Sequence, residues 1–133
     1  MEAAYPDQDK REFKRQEVSF IVIYRVNTPL FVRMLVKDKE VEALALDLSE
    51  GGMAILTSYE LAVSSIVTLK FIIFRELVLD TKRLSESVEV TGEVRYSIFT
   101  KEKAYRIGIR FTDISHENRN LIAYFANRRP RAR

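Results

Sequence analysis

At 133 residues, 47% of them hydrophobic, the chain has the length and composition of one globular domain with one core. It holds no cysteine, which removes disulfides and thiolate metal sites, its longest apolar runs fall far short of a membrane span, and its acidic first nine residues are no secretory leader. The net charge of +3 sits at the ends: Glu2, Asp7 and Asp9 make residues 1–9 acidic, residues 10–15 hold four basic groups against Glu12, and four arginines fill 128–133, which leaves residues 16–127 one charge negative. That body is not the basic surface of a general nucleic-acid binder, and these features together point to the cytoplasm.

In chain order, residues 1–9 read as a disordered tail, followed by a basic lead-in from Lys10 to Arg15. Val18–Arg25, rich in β-branched and aromatic residues, predicts the first strand, and Asn27, Thr28 and Pro29 break it. Phe31–Val36 and Val41–Leu46, on either side of four charged residues, read as a hairpin. Asp47–Gly52 reads as a turn, Met53–Thr57 and Ser65–Phe74 as further strands, and 75–87 as a long irregular connection. From Val88 to Ile98 apolar even positions alternate with polar odd ones, interrupted only by Gly92; Tyr105, Ile107, Ile109 and Phe111 repeat the pattern. Period two predicts half-buried antiparallel strands, with Gly92 and Gly108 at bends or close contacts. Ser115 predicts a helix N-cap, with Glu117 in the first turn, an apolar stripe of Leu121, Ile122 and Phe125, and Pro130 beyond the end. Many short strands and one terminal helix suggest a closed or nearly closed barrel, one domain over 10–127 between the tails 1–9 and 128–133.

Two short clusters carry chemistry. Asp47-Leu-Ser-Glu-Gly-Gly52 gathers two of only four glycines behind a carboxylate and a hydroxyl. Glycine there permits close backbone approach or a left-handed turn. A carboxylate accepts the two parallel donors of a guanine edge. Upstream, Arg11 and Arg15 place two guanidinium groups four residues apart, and their planar forks suit phosphate and guanine. The same spacing recurs in Arg106/Arg110 and Arg129/Arg133; the first of these reads as a solvated outer strand face, the second as tail. Taken alone, the Asp47 run reads as an ordinary β-turn and the arginines as a charged lead-in.

Together, Arg-x-x-x-Arg (Arg11, Arg15), then a strand, then Asp-x-Ser-x-x-Gly (Asp47, Ser49, Gly52) resemble the PilZ domain family, over roughly Lys10 to the C-terminal helix. The resemblance implies an all-β fold with a C-terminal helix, a six-stranded antiparallel β-barrel, and binding of the bacterial second messenger cyclic di-GMP without catalysis or cofactor. It implies Arg11 and Arg15 as phosphate and guanine contacts, Asp47 and Ser49 as partners of guanine edges and ribose or phosphate oxygens, and Gly52 as backbone clearance. Lys10, where many members carry another arginine, and Gly51 are secondary candidates. The implied role is an effector whose N-terminal arginine segment folds over the ligand and relays the signal to a protein partner, with motility, exopolysaccharide or virulence as output.

Three other readings compete. A small barrel binding single-stranded nucleic acid would use Phe20, Tyr24 and Phe31 as a stacking platform and the arginine tail for phosphates. A PilZ-like module without nucleotide would bind protein partners alone. An enzyme lacks support: the single histidine, His116, sits in the predicted first helical turn, and no phosphate loop or metal-spaced carboxylate cluster accompanies it.

Overall fold

The computed structural model describes residues 15–76 and 83–127. Six strands, β1 (Gln16–Thr28), β2 (Val41–Ser49), β3 (Gly52–Thr57), β4 (Ile66–Glu76), β5 (Arg83–Phe99) and β6 (Tyr105–Asp113), close into an antiparallel barrel in the order β1-β2-β3-β6-β5-β4. The expected six-stranded barrel with a C-terminal helix is therefore what forms. Its interior is filled by one side of each strand: Val22, Tyr24 and Val26 from β1, Met53 and Ile55 from β3, Leu69 from β4, Val88, Val90 and Val94 from β5, Ile107 and Ile109 from β6. The Tyr24 hydroxyl, buried inside, shares a 2.8 Å hydrogen bond with Thr57 Oγ1, which satisfies both.

Among the described residues, two helices cover the barrel. α1 (Leu30–Leu35) follows β1, and α2 (His116–Asn127) packs against β2, β4 and β5, burying Ile122 and Ala126. The N-cap reading of Ser115 holds: its Oγ accepts from Asn118 N at 3.0 Å. α1 corrects an expectation. Phe31–Val36 is no strand: Val32 and Val36, four residues apart, are the buried pair, which is helical spacing, and the hairpin predicted for 31–46 does not exist. Leu, Arg and Met favour the helix, and the β-branched valines were misleading. Lys37 and Asp38, both at positive φ (61° and 53°), then reverse the chain into β2.

The predicted connection 75–87 is also revised. β4 continues to Glu76 and β5 begins at Arg83, so the two strands form a longer hairpin; residues 77–82 lie outside the described residues, as do the predicted tails 1–9 and 128–133.

Candidate functional site

Two irregularities in the ladder build the site. Between β2 and β3, Ala45 pairs with Ile55 but Asp47 pairs with Ala54, so Leu46 is an extra residue, a β-bulge. Ala43 and Ala45 face the core; without the bulge Asp47 would follow them inward. With it, Leu48 takes the core and Asp47 turns to the outer wall. Between β5 and β6, Val94 pairs with Ile109 and Tyr96 with Gly108, so Arg95 is likewise an extra residue. The even-numbered apolar face predicted for 88–98 therefore ends at Val94, and Tyr96 and Ile98 point outward.

The pairing then places Asp47, Ala54, Gly108 and Tyr96 in one row across β2, β3, β6 and β5 on the outside of the barrel. The two middle members have almost no side chain, so the row is a trough with a carboxylate at one end and a phenol ring at the other. The ring leans over Gly108: a Cβ there would stand 2.0 Å from Tyr96 Cε2. Ala54, Gly108 and Tyr96 of this row line a cleft of about 460 Å³ with Arg15, Arg95, Arg110 and Arg119 along its rim, and Asp47 sits beside it behind Arg15. Arg119 reaches it from α2.

Asp47 is tightly engaged. Its Oδ1 accepts from Arg15 Nη1 at 2.7 Å and from the Ala54 amide at 3.1 Å, and its Oδ2 accepts from Arg106 Nη2 at 3.3 Å. Only 14% of its side chain remains exposed. Arg106 also donates from Nε to the Tyr96 hydroxyl at 3.3 Å, so one guanidinium ties both ends of the trough. Glu93 lies within ion-pair reach of Arg110 (3.6 Å) and Arg95 (3.9 Å). Five arginines thus surround three carboxylates, Asp47, Glu50 and Glu93, which leaves the cleft cationic. Such a surface suits an anionic ligand carrying flat rings.

Of the glycine doublet, Gly52 acts by clearance. No glycine has positive φ, which sets aside the left-handed option. A Cβ on Gly52 would stand 2.2 Å from the Ile109 carbonyl oxygen, so only glycine lets the β2–β3 turn approach β6, where Phe111 N donates to Gly51 O at 2.9 Å. Ser49 is buried and turned into the same turn, accepting from Gly51 N at 3.2 Å and donating to Gly52 O at 3.5 Å.

Of the residues singled out in the sequence, Arg15 and Asp47 are in contact, Ser49, Gly51 and Gly52 form the adjoining turn, and Lys10 and Arg11 lie outside the described residues. The reading of Arg106 and Arg110 as a merely solvated face is corrected: one holds Asp47, the other lines the cleft. Arg95, Tyr96 and Arg119 were missed; the bulge that exposes Tyr96 leaves no mark in the apolar alternation. The proposed aromatic platform does not form, because Tyr24 is 1% exposed, Phe20 stacks on Phe71, and only Phe31 is open, on α1. Among the described residues no group of three His, Cys, Asp or Glu side chains is placed to hold a metal, and no helix is long and apolar enough to cross a membrane.

Comparison with known proteins agrees with this architecture. The family model of the PilZ domain matches residues 9–128. No curated protein matches the chain. Among solved structures, the Bacillus subtilis inhibitor of motility MotI/DgrA superposes with a TM-score of 0.67 at 15% identity, covering 89% of this chain and 50% of its own, so this chain spans about half its length. The PilZ domain of CeSA from a cellulose-synthesizing bacterium gives 0.55 at 15% identity, covering 84% of this chain and 93% of its own. The PilZ domain of Escherichia coli YcgR, solved with c-di-GMP, gives 0.51 at 12% identity, with 88% of each chain covered. At such identities the likeness establishes the fold.

Proposed function

Because this chain belongs to the PilZ domain family, we propose that it is a cyclic di-GMP effector, folded over 10–127, whose ligand seats in the trough between Asp47 and Tyr96. The observation that carries the reading is the transverse row itself: a carboxylate for the guanine N1–H and amine, a floor at Ala54, and an aromatic ring laid over Gly108 at the far end. The arginine rim supplies the charge for two phosphates.

Arg15 has two roles in this scheme. Its Nη1 donates to Asp47 Oδ1; a guanine edge competes for that oxygen, and the displaced guanidinium turns to phosphate or to guanine O6 and N7. Arg11, with Lys10 beside it, completes the clasp from the N-terminal side. Ser49, by turning its hydroxyl from the long 3.5 Å bond to Gly52 O, takes a ribose or phosphate oxygen, and Gly52, with Gly51, holds the turn close to β6. The N-terminal segment is then the moving part, and a cytoplasmic protein partner reads its position, with motility, exopolysaccharide or virulence as output. The action is binding, without catalysis.

Calorimetric titration with cyclic di-GMP, with GMP and cyclic di-AMP as controls, tests the reading. A charge-assisted hydrogen bond contributes about 1.5–3 kcal/mol, so Arg15→Ala and Asp47→Ala should each weaken binding by about tenfold to a hundredfold. No heat with the wild-type protein would leave a nucleotide-free interaction module as the function; unchanged titration of both variants would place the site elsewhere.

A further inference from the structure

α1 is apolar on both sides. Val32 and Val36 turn to the barrel and are 1% and 2% exposed, while Leu30, Phe31, Met34 and Leu35 are 64%, 70%, 57% and 51% exposed on the opposite side. A helix apolar all round is normally covered all round, and contiguous exposed apolar groups mark contact surfaces.

The charges beside this face are unbalanced. Asp38 is bonded by Arg33 at 3.2 Å and Glu40 by Lys70 at 3.0 Å, so the acids on either side of Lys39 in the chain are engaged. Among the described residues, Lys37, Lys39 and Arg25 have no ion pair; Arg25 lines one depression with Arg33 and Asp38 and another with Glu40, Lys70 and Glu89. The face therefore presents four protruding hydrocarbon and aromatic groups beside a surplus of cations, Arg25, Arg33, Lys37, Lys39 and Lys70 against Asp38 and Glu40.

We propose that α1 is an interfacial anchor that docks the barrel on an anionic lipid surface. The four apolar side chains enter the headgroup boundary, and Arg25, Lys37 and Lys39 lie against lipid phosphates. Two features favour lipid over the other occupants. Six residues give a helix only about 9 Å long, too short for the two or more turns a protein groove reads, but sufficient for a wedge entering the top of a bilayer. A second copy meeting the same face about a twofold axis would set its free cations against their own kind. β1 enters from the cleft end and delivers α1 at the opposite end of the barrel, so docking there leaves the cleft open. The inference stands independently of what the cleft binds.

The test uses the 133-residue chain and sedimented vesicles of phosphatidylcholine alone or equimolar with phosphatidylglycerol. The protein should pellet with the mixed vesicles and stay in solution with the neutral ones. The double variant Phe31→Ser/Met34→Ser keeps every cation, including the arginine-rich ends, and should lose roughly tenfold or more in partition, with an unchanged thermal melt. The chain has no tryptophan, so Phe31→Trp is a unique reporter. Its emission should shift to the blue on mixed vesicles and be quenched by brominated acyl chains. Equal pelleting of wild type and the double variant, or a Phe31→Trp emission blind to vesicles, overturns the proposal. A wild-type protein that ignores both vesicle types overturns it too and assigns the face to a protein partner.

Discussion

Substituting Gly52 by alanine should destabilise the barrel by about 2–4 kcal/mol, and the figure follows from one contact. The new Cβ would stand 2.2 Å from the carbonyl oxygen of Ile109. Carbon and oxygen rest about 3.3 Å apart, so β3 and β6 must separate by about 1 Å at the Gly52–Arg110 pair. Both sides of the collision are backbone, so no rotamer change relieves it. Strain of this kind costs about 1–3 kcal/mol, and loss of a ladder hydrogen bond at the pair adds about 1 kcal/mol. For a domain of this size the melting temperature should fall by about 10 °C. Urea denaturation followed by far-ultraviolet circular dichroism measures the change. Gly108→Ala is the control: its Cβ meets the Tyr96 ring at 2.0 Å, and a ring at the surface can swing away, so stability should change less while the trough is lost. A Gly52→Ala protein within about 0.5 kcal/mol of wild type, or a larger loss in Gly108→Ala, would refute the reasoning.

Other outcomes follow from the same geometry. Tyr96→Ala should weaken cyclic di-GMP binding by about fivefold to a hundredfold in calorimetry, as loss of an aromatic stack does, while Tyr96→Phe retains most of the affinity. Arg106→Ala should weaken the same binding about tenfold by letting Asp47 drift, with a melting temperature near wild type because the pair is partly exposed. Burial pushes the Tyr24 hydroxyl up to about 12 from 10.0. Its contribution is therefore intact below pH 10, declines as the unfolded chain ionises above that, and is gone past about 12; Tyr24→Phe should erase up to about 3 kcal/mol of this alkaline destabilisation in denaturation curves. Hydrogen exchange through residues 8–17 should slow when cyclic di-GMP is added, and unchanged exchange at saturation would remove the switch from the scheme.

Most of the barrel was legible because period-two alternation directly expresses one wet and one dry face, and β5 and β6 display it plainly. α1 was misread because Val32 and Val36, the residues that pack, are β-branched, and local propensity outweighed their spacing of four. The site was legible where a residue type is constrained by chemistry or space, as at Asp47 and Gly52. It was illegible where the fold alone decides: Arg106 and Arg110 look like any solvated pair until β3 sets β6 two strands from Asp47. Tyr96 sat in phase with core residues, and only an extra residue in the ladder takes it out of phase.

Each of those extra residues, Leu46 and Arg95, makes the wall's recognition surface a matter of chain length as much as of composition. A one-codon deletion at Leu46 would keep every functional group in the polypeptide yet send the carboxylate indoors, and one at Arg95 would cost a single rim cation and send the phenol indoors with it. Descendants of this domain can therefore go silent through an indel that leaves every conspicuous motif letter in place, and counting those letters would miss it.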